Sequence, residues 1–216
     1  RNLSMRLIGM FDSPFVRLVG ITMKLFGMPF EHLNWSTGKD FDRIREYNPL
    51  GRVPTLVLDD GEALAESSAI LDYLDEQAGP ERAMLPRSGR DRRTALQLIA
   101  LPNGAMDKAR DLIYERVYRP EEKWHEPWLQ RCRTQMHGAL AEIERYVAKN
   151  GARSWLVGER MTRADLVVAC AFTLMTDALA AEFKPGDYPA LRAFVARCEA
   201  LPEFKEIREA WSPPKK

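Results

Sequence analysis

The hydrophobic period of this chain changes partway along, and that change limits its fold more than any other feature. Up to about residue 78, short aliphatic runs alternate with stretches whose apolar residues recur every three or four positions. Beyond residue 88 only the three-to-four spacing remains. The first pattern packs strands against helices, and the second packs helices on helices. Between them, Gly79-Pro80 and a charged, proline-containing stretch to Arg87 break both periods and read as a linker. The charge shifts at the same place: 8 basic and 12 acidic residues up to position 78, then 24 and 19. The sequence therefore predicts an α/β unit over 5–78, a linker over 79–87 and an all-helical unit over 88–212.

In the first unit, Met5 to Met10 is a short run of strand type. Ser13-Pro14 starts a helix. Ser13 suits the N-cap, and proline at the first helical position loses nothing because the N–H it lacks would have no partner. The helix is predicted to Phe26, with Phe15, Leu18, Val19, Thr22, Leu25 and Phe26 on one face, and Gly27 closes it. Phe30 to Asn34 reads as a strand, Phe41 to Tyr47 as a short helix, and Asn48-Pro49-Leu50-Gly51 as a turn. Thr55 to Leu58 and Glu62 to Leu64 are strands joined at Asp59-Asp60-Gly61. Ser67 to Gln77 is a helix with Ile70, Leu71 and Leu74 inward. The order is βαβ, then αββα.

The second unit reads as helix throughout. Arg90 to Tyr118 and Glu121 to Val147 are long and periodic, and a loop follows at Asn150-Gly151. Thr162-Arg163-Ala164-Asp165 is a capping box: the Thr162 hydroxyl accepts from the Asp165 N–H, and the Asp165 carboxylate reaches back to the Thr162 N–H. The helix it opens, Arg163 to Ala181, is apolar almost all round and belongs at the buried centre of a bundle. Helices at Pro189 to Ala200 and Glu203 to Trp211 finish the unit, and the end from Ser212 to Lys216 is expected to fray.

Composition removes several functions. The 32 Lys+Arg and 31 Asp+Glu leave a formal charge of +1, which offers no attraction to nucleic acid. The longest apolar run, Leu166 to Phe172, is far short of the roughly 20 residues that cross a bilayer. The first apolar stretch soon meets Asp12, so no secretory leader is expected. Cys132, Cys170 and Cys198 lack CxxC or CxC spacing, which argues against disulfides or structural zinc and for a reducing, cytoplasmic setting. His125, Cys132 and His137 lack metal-ligand spacing, so no metal is expected. No GxGxxG or GKS/GKT string supports a nucleotide.

Four strings stand out in order and spacing: Ser13-Pro14-Phe15, Asn48-Pro49-Leu50-Gly51-Arg52-Val53-Pro54, Glu66-Ser67-Ser68-Ala69-Ile70 and Thr162-Arg163-Ala164-Asp165. With a βαβαββα unit, a linker and a capped, buried helix, the chain resembles the cytosolic glutathione transferases, and among them the bacterial-type members with an active-site serine. The resemblance covers nearly the whole chain. It implies a thioredoxin-like glutathione-binding domain, an all-helical domain, a homodimer and a cytoplasmic detoxifying enzyme. Glutathione is then a cosubstrate rather than a tightly bound cofactor, and a small electrophile is its partner.

By this resemblance the Val53-Pro54 bond is cis and turns the Val53 backbone toward the cysteinyl backbone of glutathione, like a short added strand. Without the flanking strings, Val53-Pro54 reads only as the opening of a strand. Glu66 and Ser67 stand at the start of a helix, whose first N–H groups and dipole favour an anion. The resemblance assigns Ser67 to the γ-glutamyl carboxylate and Glu66 to the α-amino group, and both also suit a plain cap. Arg52 is a candidate for the glycyl carboxylate or a solvated charge.

Ser13 is the catalytic candidate. A free thiol titrates near 8.5, so only about 3% is thiolate at pH 7. A hydroxyl hydrogen bond to a charged group is worth roughly 1.5–3 kcal/mol, which lowers the thiol pKa by about one to two units. Phe11 and Phe15 flank Ser13, and Met106, Arg110 and Tyr114 form a helical row; these five are candidates for the electrophile pocket between the units, with Trp35 and Lys39 at its rim. The row also suits ordinary packing. Because the first 131 residues hold no cysteine, thiol–disulfide exchange from the first unit is rejected. Thiolate attack on an electrophilic carbon is left, and glutathione-dependent isomerisation or dehalogenation starts from the same thiolate. A non-catalytic glutathione-binding or scaffold protein of this fold is the competing reading.

Overall fold

The structure, a computed structural model, describes residues 4–150 and 154–213. The loop expected at Asn150-Gly151 and the fraying end expected after Ser212 lie largely outside them. Contacts divide the chain into two compact units. One holds the residues up to Ala83 together with those from Leu201 onward, and the other is Met84–Ala200.

The first unit contains β1 (Met5–Ile8), α1 (Pro14–Phe26), β2 (Phe30–Leu33), α2 (Phe41–Arg45), β3 (Thr55–Val57), β4 (Ala63–Ala65) and α3 (Ser67–Ala78). This is the βαβαββα order of a thioredoxin-like domain. The sheet runs β2-β1-β3-β4, with β2 parallel to β1, and β3 antiparallel to both β1 and β4. The parallel β1–β2 pair needs a crossover, and α1 supplies it. Leu7, Ile8, Val16, Val19, Ile21, Leu56, Ile70 and Leu74 are fully or almost fully buried and fasten α1 and α3 to the sheet. Gly27 ends α1 in the left-handed conformation, its N–H donating to the Met23 and Lys24 carbonyls.

The second unit contains α4 (Gly89–Tyr118), α5 (Glu126–Asn150), α6 (Arg163–Ala178) and α7 (Pro189–Glu199). Every residue of α6 from Arg163 to Met175 is buried, with α4 and α7 packed against it. The capping box is formed at its start. The expected helix from Glu121 begins later: Glu121–Lys123 is a separate 3-10 turn. Pro127 has no N–H to donate and loses nothing within a first helical turn, which suits the start of α5 at Glu126. The helix expected to reach Ala181 stops at Ala178, and a 3-10 turn over Ala180–Glu182 follows.

The last helix departs most from expectation. It spans Pro202–Glu206 as α8 rather than Glu203 to Trp211, and it packs in the first unit against α1. Arg17 supplies the reason. This buried side chain donates from Nη2 to the Phe204 carbonyl at 2.8 Å and from Nε to the Ile207 carbonyl at 2.6 Å. Those are the carbonyls a continuing helix would need for Arg208 and Trp211.

Candidate functional site

Ser13 ends the turn between β1 and α1. Its backbone is extended (φ −71°, ψ 124°), its N–H donates to the Met10 carbonyl at 3.2 Å, and its carbonyl accepts from the Arg17 N–H at 2.9 Å. The Ser13 Oγ accepts from the Val16 N–H at 3.5 Å, which is long for such a bond. A hydroxyl has one proton and two lone pairs. Capping engages a lone pair and leaves the proton free to donate. The cap role and the thiolate role therefore use different parts of one group.

Gly9 brings Val53 close to this turn. Its φ is +131°, and a Cβ there would lie 2.5 Å from Val16 Cγ2 and 2.8 Å from Val53 Cβ. Only glycine admits that passage, with the first turn of α1 on one side and Val53 on the other. The Val53–Pro54 peptide bond is cis. Among the described residues, the Val53 N–H and C=O make no hydrogen bond.

The turn before Val53 is held by Asn48, which sequence reasoning treated only as part of a turn. Its buried amide donates to the Arg52 carbonyl at 2.9 Å and to Thr55 Oγ1 at 3.1 Å, and it accepts from the Leu50 N–H at 3.0 Å. One side chain thus ties both ends of the loop that presents Val53. An asparagine opening Asn-Pro-Leu-Gly carried the signal, because its amide can replace a backbone partner two residues on. The Arg52 side chain is exposed and makes no ion pair among the described residues.

At the start of α3 the polar groups converge on a carboxylate. Glu66 has φ +76° and accepts from the Ser68 N–H at 3.0 Å, from Ser67 Oγ at 3.3 Å and from the Ser68 hydroxyl. Partial burial pushes the Glu66 carboxyl up. The hydrogen bonds from Ser68 and Ser67 outweigh it, so its pKa lies below the ordinary value. The corner therefore stabilises carboxylate charge, and Glu66 supplies that charge itself. Ser67 is 5% exposed and opens α3, which packs on α1.

The candidate electrophile-pocket residues belong to both units. The Phe11 ring stacks on His32 with centroids 3.8 Å apart, and His32 Nε2 is 2.7 Å from the Gly9 carbonyl. Phe15 is half-buried on α1. On α4, Met106 is buried, Arg110 pairs with Asp107 at 3.2 Å, and Tyr114 is 40% exposed with its ring edge-on to Tyr118. Trp35 lies under the Arg43 guanidinium, 4.0 Å from ring centroid to Cζ, and Lys39 is exposed. A cavity of about 540 Å³ in the first unit is lined by Phe11, Met28, Pro29, Phe30, His32 and Ile207 among others. Ser13, Val53 and Ser67 do not line it.

All three cysteines are buried. Burial pushes the Cys198 thiol up to about 12, with the Asp165 charge adding in the same direction. Burial likewise raises Cys132, helped by Asp111. The native protein should therefore react negligibly with an aromatic disulfide reagent at pH 8, and all three thiols should react at once in denaturant. Rapid native labelling of even one would overturn this.

Comparison with known proteins agrees with the fold. A family model for the glutathione S-transferase N-terminal domain matches residues 7–82, and one for the C-terminal domain matches residues 106–202. An Escherichia coli K12 protein described as the uncharacterized GST-like protein YibF is 30% identical over 167 residues, covering 77% of this chain and 80% of its own. A Pseudomonas aeruginosa maleylacetoacetate isomerase is 28% identical, covering 97% of this chain and 98% of its own. The crystal structure of a Methylobacterium radiotolerans glutathione S-transferase, in complex with glutathione sulfonate, has a TM-score of 0.88 at 30% identity and covers 99% of both chains. With a thioredoxin-like unit, a helical unit and both family domains matched in order, the chain belongs to the glutathione S-transferase family.

Proposed function

We propose that this protein is a glutathione transferase in which the Ser13 hydroxyl donates a hydrogen bond to the glutathione thiolate, readying it for attack on a small electrophile. The observation that carries this reading is the unspent Ser13 proton beside a turn that Gly9 packs directly against Val53. The open Val53 N–H and C=O suit the cysteinyl backbone. The α3 N-terminus suits the γ-glutamyl carboxylate: it already holds one carboxylate, and Ser67 is the donor for the incoming one once Glu66 turns to the α-amino group. Arg52, exposed beside Val53, takes the glycyl carboxylate. Phe11, Phe15, Met106, Arg110 and Tyr114 are assigned to the electrophile. In this reading the enzyme is a cytoplasmic homodimer.

The same thiolate begins an isomerisation, in which it adds to a conjugated carbon to give an enolate, the former double bond rotates as a single bond, and the enolate expels the thiolate as the double bond re-forms. The full-length similarity to a maleylacetoacetate isomerase favours testing that reaction as well.

The test is retention on immobilised glutathione, followed by turnover assays with an aryl halide and with a cis-conjugated diketo acid. Retention with turnover of either supports an enzyme, and the active substrate decides the reaction. Retention without turnover of either supports a scaffold protein instead. Ser67→Ala should weaken glutathione binding about ten- to hundredfold, the value of one hydrogen bond to a charged group. Unchanged binding would remove Ser67 from the site.

A further inference from the structure

The segment after α8 is tied to the turn that carries Ser13. Four hydrogen bonds hold it and the end of α8 in place. Arg17, one helical turn into α1, grips the Phe204 and Ile207 carbonyls. The Phe11 N–H donates to Glu209 Oε2 at 3.2 Å. The Ser212 N–H donates to Asp12 Oδ2 at 3.3 Å. Lys24 and Glu206 add an ion pair at 2.5 Å. Gly20 permits the close fit: a Cβ on it would lie 2.9 Å from the Phe11 ring and 3.0 Å from Ile207 Cγ2. The two residues that precede Ser13 are therefore both hydrogen-bonded to a stretch nearly 200 positions away in the chain.

We propose that Glu209 is a positioning residue, which fixes the Phe11–Ser13 turn through the Phe11 N–H and so aims the Ser13 hydroxyl at the sulfur. This rests on the thiolate role of Ser13. Among the described residues the Phe11 main chain has no other hydrogen-bond partner: its N–H is spent on Glu209 while its ring is spent on His32. Losing the Glu209 carboxylate frees the residue two before Ser13, and a small displacement of a catalytic donor costs rate out of proportion to its size. Glutathione binding, by contrast, uses Val53 and Ser67, whose surroundings the segment does not touch through any of these bonds.

The test uses the full-length protein with Glu209→Ala, Glu209→Gln and Ser13→Ala in parallel. Glu209→Ala should lower kcat about three- to tenfold with KM for glutathione nearly constant. Its pH–rate profile should shift toward alkaline pH, and amide exchange of the Phe11–Ser13 segment should accelerate. Glu209→Gln keeps an oxygen for the Phe11 N–H and should restore most of the rate and the protection. If Ser13→Ala is impaired while Glu209→Ala keeps the parent rate, profile and exchange, the positioning role is wrong and the Ser13 role stands. If Glu209→Gln is as impaired as Glu209→Ala, the charge rather than the hydrogen bond matters, and the proposal fails equally. A normal Ser13→Ala enzyme would instead remove the reading on which Glu209 depends. Exchange protection remains readable even where a variant loses all turnover.

Discussion

Ser13→Ala should lower kcat at pH 7 by about eight- to twenty-five-fold, because the hydrogen bond it removes is worth about one to two units of thiol pKa and the bound thiol falls back to about 3% thiolate. The pH profile gives the sharper signature. With the thiol returned toward 8.5, the variant's rate should climb through the range where the parent has already levelled, and the two should converge above about pH 9. KM for glutathione should change little, since the backbone of Val53 and the start of α3 are untouched. The ultraviolet absorbance of bound thiolate, titrated against pH, reads the same shift without turnover. The fold should survive, because the cap bond lost is already long at 3.5 Å, and an N-cap replacement costs about 0.5–2 kcal/mol, here at the low end. A variant whose rate profile and thiolate titration both superimpose on the parent would rule Ser13 out, while leaving the family assignment intact.

What was legible in the sequence was what local chemistry decides. Ser13-Pro14 opens α1 and Gly27 closes it because cap residues act on backbone within a turn or two of themselves. The capping box at Thr162 was readable for the same reason, and the change of hydrophobic period near residue 79 separated the sheet from the helical bundle. Features decided by distant partners were not readable. The end of α8 depends on Arg17, and a buried arginine on an otherwise apolar helix face gives no hint of which carbonyls it will take. Glu209 looks like one more acidic residue in a charged tail until Phe11 is found beside it. The string Glu66-Ser67 marked the start of α3, but not the way Glu66 would turn its own carboxylate back onto that start.

Asp165→Ala should cost the protein about 3–5 kcal/mol, the lower part of the range expected when three buried neutral donors are stranded. Asp165 is fully buried, and its two oxygens serve three donors: the Leu156 N–H at 2.8 Å, the Thr162 N–H at 2.7 Å and the Thr162 hydroxyl at 2.9 Å. Alanine leaves all three without an acceptor in a place water does not reach, and each costs about 1–3 kcal/mol. The lost bonds also free the bend around Leu156, whose carbonyl receives the Tyr146 hydroxyl at 2.7 Å, so the damage reaches α5 as well as α6. For a chain of this length such a loss lowers Tm by about 10 °C. Asp165→Asn is the informative companion. Its one oxygen can serve Leu156, but its NH2 then faces two other donors at Thr162, so it should recover less than half of the deficit. Thr162→Val removes both hydroxyl contacts with Asp165, the bond to its carboxylate and the cap on its N–H, but leaves the carboxylate in place and should cost about 1–2 kcal/mol. Chemical denaturation of the three variants orders them Ala, Asn, Val from worst to best if the carboxylate is the hub. An Asp165→Ala protein within 1 kcal/mol of the parent would mean that the helix at the centre of the bundle is held by its apolar surface alone, with its polar start contributing direction but little stability.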